Sequence, residues 1–279
     1  MLKSGDICLC SGAVPQAGYK QLLQAASTAG FDGLSMWPHH YQKAINSGLN
    51  IKDMSLMLDD YGLQLSEFDA LITLIPGSGY DPPDPDDIMF KYDDQFFLDF
   101  ASALGARSIN VVQYFGPQLA TDLVGELFGS FCEKAARHNL LVSLEFLPWS
   151  GIPNLTTASE VIKCAGADNG GINLDTWHFH RSGGLIEELR SLPKGSVVAM
   201  QINDVLAQPW EDVVAETMQA RQLPGEGVAD LQSVMEALDF LQCDAPFAIE
   251  VFNDKFKVES VEDTVQQLAD SLKKFIETL

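Results

Sequence analysis

Four polar residues end otherwise apolar runs in the second half of the chain. They are Glu145 in LVSLEFLP, Asp175 in GINLDTW, Gln201 in VVAMQIND and Glu250 in FAIEVFN. Side chains alternate across an extended strand, so each run divides into two faces. Val142, Leu144 and Phe146 oppose Ser143 and Glu145, and Ile172 and Leu174 oppose Asn173 and Asp175. Val198, Met200 and Ile202 oppose Ala199 and Gln201, and Phe247, Ile249 and Val251 oppose Ala248 and Glu250. Each run sends bulky apolar residues one way, and a small then a polar residue the other. Three carboxylates gathered out of water repel one another and lose their hydration. A divalent cation resolves that conflict. Ligation by oxygen alone, from three carboxylates and an amide, favours a hard ion, Mg²⁺ or Mn²⁺, over Zn²⁺. The bland alternative is four strand-end groups, each satisfied locally or paired with Lys or Arg. Inward-facing Lys or Arg is scarce in these runs, which weighs for the cation.

The elements that position these residues repeat along the chain. Eight short apolar runs read as strands, over 7–12, 33–37, 65–71, 108–115, 141–148, 171–177, 197–204 and 247–253. Amphipathic stretches alternate with them, over 17–30, 51–62, 93–106, 122–139, 156–167, 230–241 and the C-terminal twenty residues. Eight strand–helix units predict an α/β fold, a (β/α)8 TIM barrel forming one domain over 1–279. A doubly wound sheet competes, but no GxGxxG follows the first strand and GxxxxGK[ST] is absent. In a barrel the polar faces point inward, so the four residues should converge at equivalent depth near the C-terminal mouth. Long connections at 74–87 and 206–227 follow strands three and seven, on the side where barrel enzymes keep their active sites. Trp37, Trp149 and Trp177 lie at or just past strand ends and suit a wall for a sugar-like or ring-shaped ligand, or plain rim packing. His39 and His40 in PHH read as loop histidines near the same mouth, giving His39 a substrate role. Asp204 differs from Gln201 in parity and reads as facing a loop or helix cap.

Composition sets the outer limits. The 279 residues are 46% hydrophobic and include sixteen Phe and four Trp, ample for a large core. The formal charge of −22 argues against nucleic acid and anionic membranes as partners and suits a soluble protein that attracts cations. Five cysteines without a CxxC read as free buried thiols in a reducing, cytoplasmic setting. MLKSGDICLC has no long apolar core for a signal peptide, and no run of about 18 apolar residues occurs to span a membrane.

LEFLP, NLDTWHFHRSG, MQIND, RQLPGEG and AIEVF, in this order, resemble the sugar phosphate isomerase/epimerase-like, xylose-isomerase-like TIM-barrel superfamily. Its members include ketose 3-epimerases, hydroxypyruvate isomerase, inosose dehydratase, 3-dehydroshikimate dehydratase and apurinic endonucleases. The resemblance implies metal ligation by Glu145, Asp175, Gln201 and Glu250. The ketose epimerases usually carry His where this chain has Gln201, so the epimerase pattern is not matched strictly. The endonuclease branch is disfavoured by the acidic charge and by the lack of extra His ligands. The implied chemistry is proton abstraction next to a carbonyl on a small sugar or hydroxy-ketone. Glu145 and Glu250 would be the acid–base pair or, alternatively, ligands alone. His178 resembles the histidine of the family's DxxH motif and would polarise the carbonyl or move protons; a structural role is the alternative. Arg221 resembles the arginine of the family's R-x-x-P-G-x-G loop and would grip hydroxyls or a carboxylate, unless it forms a salt bridge within the loop. The RQLPGEG glycines read as setting the turn. Arg181 reads as a rim arginine that either holds an anion or is solvated. A dehydratase of a cyclic keto-polyol is the alternative reaction, and a metal-stabilised binding subunit the non-enzymatic one. A homodimer is expected by analogy with relatives.

Overall fold

In the computed structural model, which describes residues 1–79 and 87–279, the eight predicted strands close into a barrel. They are β1 Ile7–Cys10, β2 Gly33–Met36, β3 Gln64–Leu71, β4 Ser108–Val112, β5 Leu141–Glu145, β6 Gly170–Asp175, β7 Val197–Ile202 and β8 Phe247–Ile249. Every neighbouring pair is parallel, including β1 with β8. A parallel pair needs a crossover connection, and the amphipathic stretches supply it as helices. Leu9, Leu34, Phe68, Ile109, Leu144, Leu174 and Ile249 turn outward under those helices and are fully buried. The fold is the (β/α)8 barrel that the alternation predicts. No helix of the described residues is long and apolar enough to cross a membrane. The connection read over 74–87 lies partly in 80–86, outside the described residues.

The strands stop earlier than the apolar runs do, for local reasons. β6 ends at Asp175 because its carboxylate caps the helix Thr176–Arg181, accepting from the His178 amide at 2.9 Å. β1 ends at Cys10, where Ser11–Ala13 forms a 3-10 turn. Gly12 in that turn allows a close approach, since a Cβ there would lie 2.5 Å from the Trp37 ring. The PHH stretch is not a loop. Pro38 opens the helix Pro38–Asn46, where its missing N–H costs nothing, so His39 and His40 occupy a first helical turn.

The register corrects the expectation of equal depth. Asp175 lies level with Gln201, but Glu145 lies level with Asn173, and Gln201 with Ala248. Strands in a closed barrel tilt and stagger, so inward positions climb around the ring. Glu250 therefore stands two residues above the level of Gln201, just past the end of β8.

Candidate active site

The barrel mouth opens into a cavity of about 300 Å³ whose lining includes Glu145, His178, Arg221 and Glu250. Trp37, His39 and Trp149 also line it. Trp177 does not. It is fully buried behind the wall, its ring 6.5 Å from Trp149 and 5.3 Å from His178. The helix begun by Asp175 turns His178, one residue on, toward the cavity and Trp177 away from it. Trp177 supports the wall.

The partner that the carboxylates lack on their own strands comes from the loop after β7. Arg221 is 2% exposed, and its Nη1 donates to Asp175 Oδ2 at 2.7 Å and to Glu250 Oε2 at 2.9 Å. Its Nε donates to Thr217 Oγ1 and the Thr217 carbonyl, at 3.0 and 3.1 Å. Its Nη2 meets His178 Nε2 at 3.2 Å, and its guanidinium packs 4.6 Å from the Phe252 ring centre. A guanidinium has five N–H bonds, so little donor capacity remains for a substrate. The expected salt bridge exists, but it joins the loop to β6 and to the residue beyond β8. The loop is built on Asp204. Its carboxylate accepts from the amides of Val205, Gly225, Gly227 and Ala229 at 2.8–3.0 Å. Gly225 has φ +83°, a conformation glycine adopts without strain. The RQLPGEG glycines thus shape a turn around Asp204, which faces the loop as its parity predicts.

The carboxyls differ in state. Burial first, then the charges of Glu250, Asp69 and Asp175, push Glu145 well above the usual carboxyl range. Burial pushes Glu250 up to about 8 against the opposing pull of Arg221. Burial would raise Asp175 as well, but Arg221, His178 and the amide and Asn203 hydrogen bonds hold it below its ordinary value. His178 is pushed down to about 3 by burial, with Arg221 adding to the effect and Asp175 opposing it, so its ring is neutral. Because Nε2 faces an arginine donor, it carries a lone pair. That lone pair also faces Glu145 Oε1 at 3.4 Å. Two lone pairs can share that space only with a proton or a cation between them.

That conflict tests whether a metal fits. Glu145, Asp175 and His178 are all buried and offer ligand atoms within 4.8 Å of one another, a donor set that suits a divalent ion. Gln201 is placed differently from expectation. Its amide oxygen accepts from Asn173 Nδ2 at 3.1 Å, and its Nε2 donates to Glu250 Oε1 at 3.1 Å. A half-turn of that amide would exchange the two atoms with almost no change in shape.

The first half of the barrel also contributes, by the alternation that reveals the second. In β3, Glu67 and Asp69 oppose Phe68, and in β4, Ser108 and Asn110 oppose Ile109. Asn110 donates to Glu145 Oε2 at 2.6 Å and to Asp69 Oδ1 at 2.9 Å, while Trp37 Nε1 donates to Asp69 Oδ2 at 3.1 Å. The Cys10 thiol donates to Glu250 Oε1 at 2.7 Å. Cys10, Asp69 and Glu250 form a second buried group with metal-ligating atoms, but these protein donors already satisfy it. Arg181 is neither solvated nor free, because it pairs with the fully buried Glu216.

A family model described as xylose isomerase-like TIM barrel matches residues 23–275. The chain belongs to that family. Inosose isomerase of Bacillus velezensis is 24% identical over 143 residues, 50% of each chain. Inosose isomerase of Bacillus subtilis is 26% identical over 134 residues, 47% of each. The chain thus spans about half the length of the relatives it matches. Among solved structures, an IolI protein with a bound zinc atom has TM-score 0.84 and 17% identity, covering 98% of each chain. A probable 3-DHS dehydratase, AsbF, from Bacillus anthracis has TM-score 0.72 and 18% identity, over 96% of this chain and 98% of that one. D-psicose 3-epimerase from Clostridium cellulolyticum H10 has TM-score 0.70 and 13% identity, over 98% of each chain. At these identities the solved structures carry the fold alone.

Proposed function

We propose that this protein is a divalent-metal-dependent isomerase or epimerase that moves a proton next to the carbonyl of a small sugar or hydroxy-ketone. The observation that carries the reading is the pair Glu145 and Glu250. Both are buried carboxyls raised above the ordinary range, and they face one cavity from different sides of the barrel. Proton transfer at neutral pH works best with groups whose pKa lies near the working pH. One glutamate would take the proton from carbon and the other would return one to the opposite face. His178, neutral, would exchange the Arg221 N–H at its Nε2 for a substrate hydroxyl proton and pass that proton to Glu145 once Glu145 has given up its own. Arg221 would hold the Glu250 and Asp175 carboxylates in place. The matched relatives called inosose isomerase make a cyclic keto-polyol the first substrate to test.

Glu145, Asp175 and Glu250 would hold the ion, with Gln201 joining them when its amide oxygen turns toward Glu250. Such an ion, Mn²⁺ or Mg²⁺ by the predominance of oxygen donors, polarises a carbonyl and stabilises the neighbouring enediolate. Metal analysis should find about one divalent ion per chain. A metal-free protein whose melting temperature ignores added Mn²⁺, Mg²⁺ and Zn²⁺ would remove the metal from this reading. With an inosose or ketose in D₂O, deuterium should enter the α-carbon. Formation of an absorbing enone instead would replace isomerisation with dehydration. Gln201→His should keep the ion and move preference toward Zn²⁺ or Co²⁺; an unchanged activation profile would mean that Gln201 does not reach it.

A further inference from the structure

The cavity has a second face that this chemistry does not use. Its wall also includes Ile72, Met89, Phe90, Val112, Leu147 and Trp149, with Val112 level with Glu145 on the neighbouring strand. Ile72, Val112 and Leu147 belong to an apolar cluster separate from the main core. Strand parity explains how Val112 and Leu147 come to line a cavity. Val112 follows Asn110 by two residues on β4, and Leu147 follows Glu145 by two beyond β5, so each inward column changes from polar to apolar as it leaves the barrel. A substrate hydroxyl pressed against that wall would lose water and gain no partner, at a cost of about 1–3 kcal/mol each.

The charges around the cavity narrow the class further. Among the described residues, Arg221 is the one Lys or Arg on the wall, and Asp175, Glu250 and Thr217 already occupy its Nε and Nη1. Residues 80–86, outside the described residues, contain no Lys or Arg in their sequence. Burial keeps His39 below the ordinary imidazole pKa, and the Arg221 donor 3.2 Å from His178 Nε2 leaves no place for a second proton there, so neither ring supplies a second cation at neutral pH. Asp69, Asp87, Glu145 and Glu250 all line the same space. A phosphate group would enter against that field without a partner.

We infer that the substrate is an unphosphorylated amphiphile. Its hydroxy-carbonyl head lies at Glu145, His178 and Glu250, and a carbon-rich body, a ring or short alkyl chain, lies on the Ile72–Val112–Leu147 wall. The head position rests on the proposed proton-transfer function; the body follows from the wall and the charge. Three hydroxamates test it by calorimetric titration of the purified, metal-replete protein. Acetohydroxamate, benzohydroxamate and phosphoglycolohydroxamate present the same planar pair of oxygens, and differ in the body they carry. Benzohydroxamate should bind at least about tenfold tighter than acetohydroxamate, as burial of a phenyl ring implies. Phosphoglycolohydroxamate should bind no better than acetohydroxamate. Tightest binding by the phosphorylated probe, or equal binding of all three, overturns the amphiphile and leaves the proton-transfer reading standing. Binding of none overturns both. Val112→Thr, which keeps the shape of the side chain, and Met89→Ser on the half-buried turn should each weaken benzohydroxamate several-fold and leave acetohydroxamate unchanged. Loss of both probes together, or of neither in both variants, also counts against the assignment.

Discussion

The barrel interior holds two layers of buried acid, and they meet opposite surroundings. In the lower layer, Glu67 accepts from Ser108 Oγ at 2.9 Å and Ser143 Oγ at 2.8 Å, beside a void of only about 20 Å³. In the upper layer, Glu145 has Asn110 on one oxygen and an unprotonated histidine nitrogen near the other, and it faces about 300 Å³ of cavity. Burial raises both carboxyls, Glu67 to about 8 and Glu145 well above the ordinary glutamate value. A raised pKa therefore does not separate a structural acid from a reactive one. Serine hydroxyls rotate to suit either protonation state of Glu67, so the lower layer is self-sufficient. The upper layer needs a proton or a cation between Glu145 and His178 and has room for a molecule beside them. The two buried arginines repeat the contrast. Arg107 donates to the Val198 carbonyl and pairs with Asp244, whose side chain is 79% exposed. Arg221 lies between Asp175 and Glu250, both buried.

The largest effect should come from the upper carboxyls. Glu145→Gln keeps the size of the side chain and its contact with Asn110 but cannot take a proton. Solvent exchange at the substrate α-carbon should fall by about 10²–10⁴, the usual worth of a general base. The melting temperature should change little, because the amide keeps the size and the Asn110 contact and places no charge where burial opposes one. An exchange rate within a few-fold of the parent would place the chemistry elsewhere and erase the distinction between the layers.

Removing the arginines should give the next largest difference. Arg221→Met strands Asp175 and Glu250 without their cation, and breaking a buried pair typically costs about 3–5 kcal/mol. Divalent ions should restore part of that loss in thermal melts, because they suit the same carboxylates. Arg107→Met should cost less, about 1–3 kcal/mol for a carbonyl left unbonded, since Asp244 simply stays in water. Divalent ions should not restore it. Equal rescue of both variants would mean that the ions act on the acidic surface in general.

The strand order and the inward columns were legible because period-two alternation survives in short strands such as LVSLE and SINVV. The same rule applied to β3 finds Glu67 and Asp69, and applied to β4 finds Asn110. Three features were not legible. The partner of Asp175 and Glu250 is Arg221, forty-six residues from Asp175 along the chain and carried by a loop whose path depends on Asp204 and two glycines. Trp177 is turned from the cavity because Asp175 starts a helix there, and an Asp at a strand end does not announce that in a run that otherwise reads as extended. The staggering of Glu145 below Asp175 comes from barrel closure, which no single strand encodes.

The smallest and most selective test lies in the lower layer. Glu67 holds its proton to about pH 8 in the fold, against 4.5 for an ordinary glutamate, with burial and then the Asp69 charge as the leading causes. Between those values the folded chain binds more protons than the unfolded one. The stability from this group is therefore full below pH 4.5 and is lost as pH rises through 8. Glu67→Gln cannot titrate, and its carbonyl oxygen still accepts from Ser108 and Ser143. At pH 5 the two proteins should differ by less than about 1 kcal/mol. At pH 9 the variant should be the more stable by more than that, with α-carbon exchange within a few-fold of the parent. Parallel stability curves would mean that Glu67 is already ionised at pH 5, so that the serines solvate a charge. The lower layer would then be a second buried anion, distinguished from Glu145 only by its lack of space.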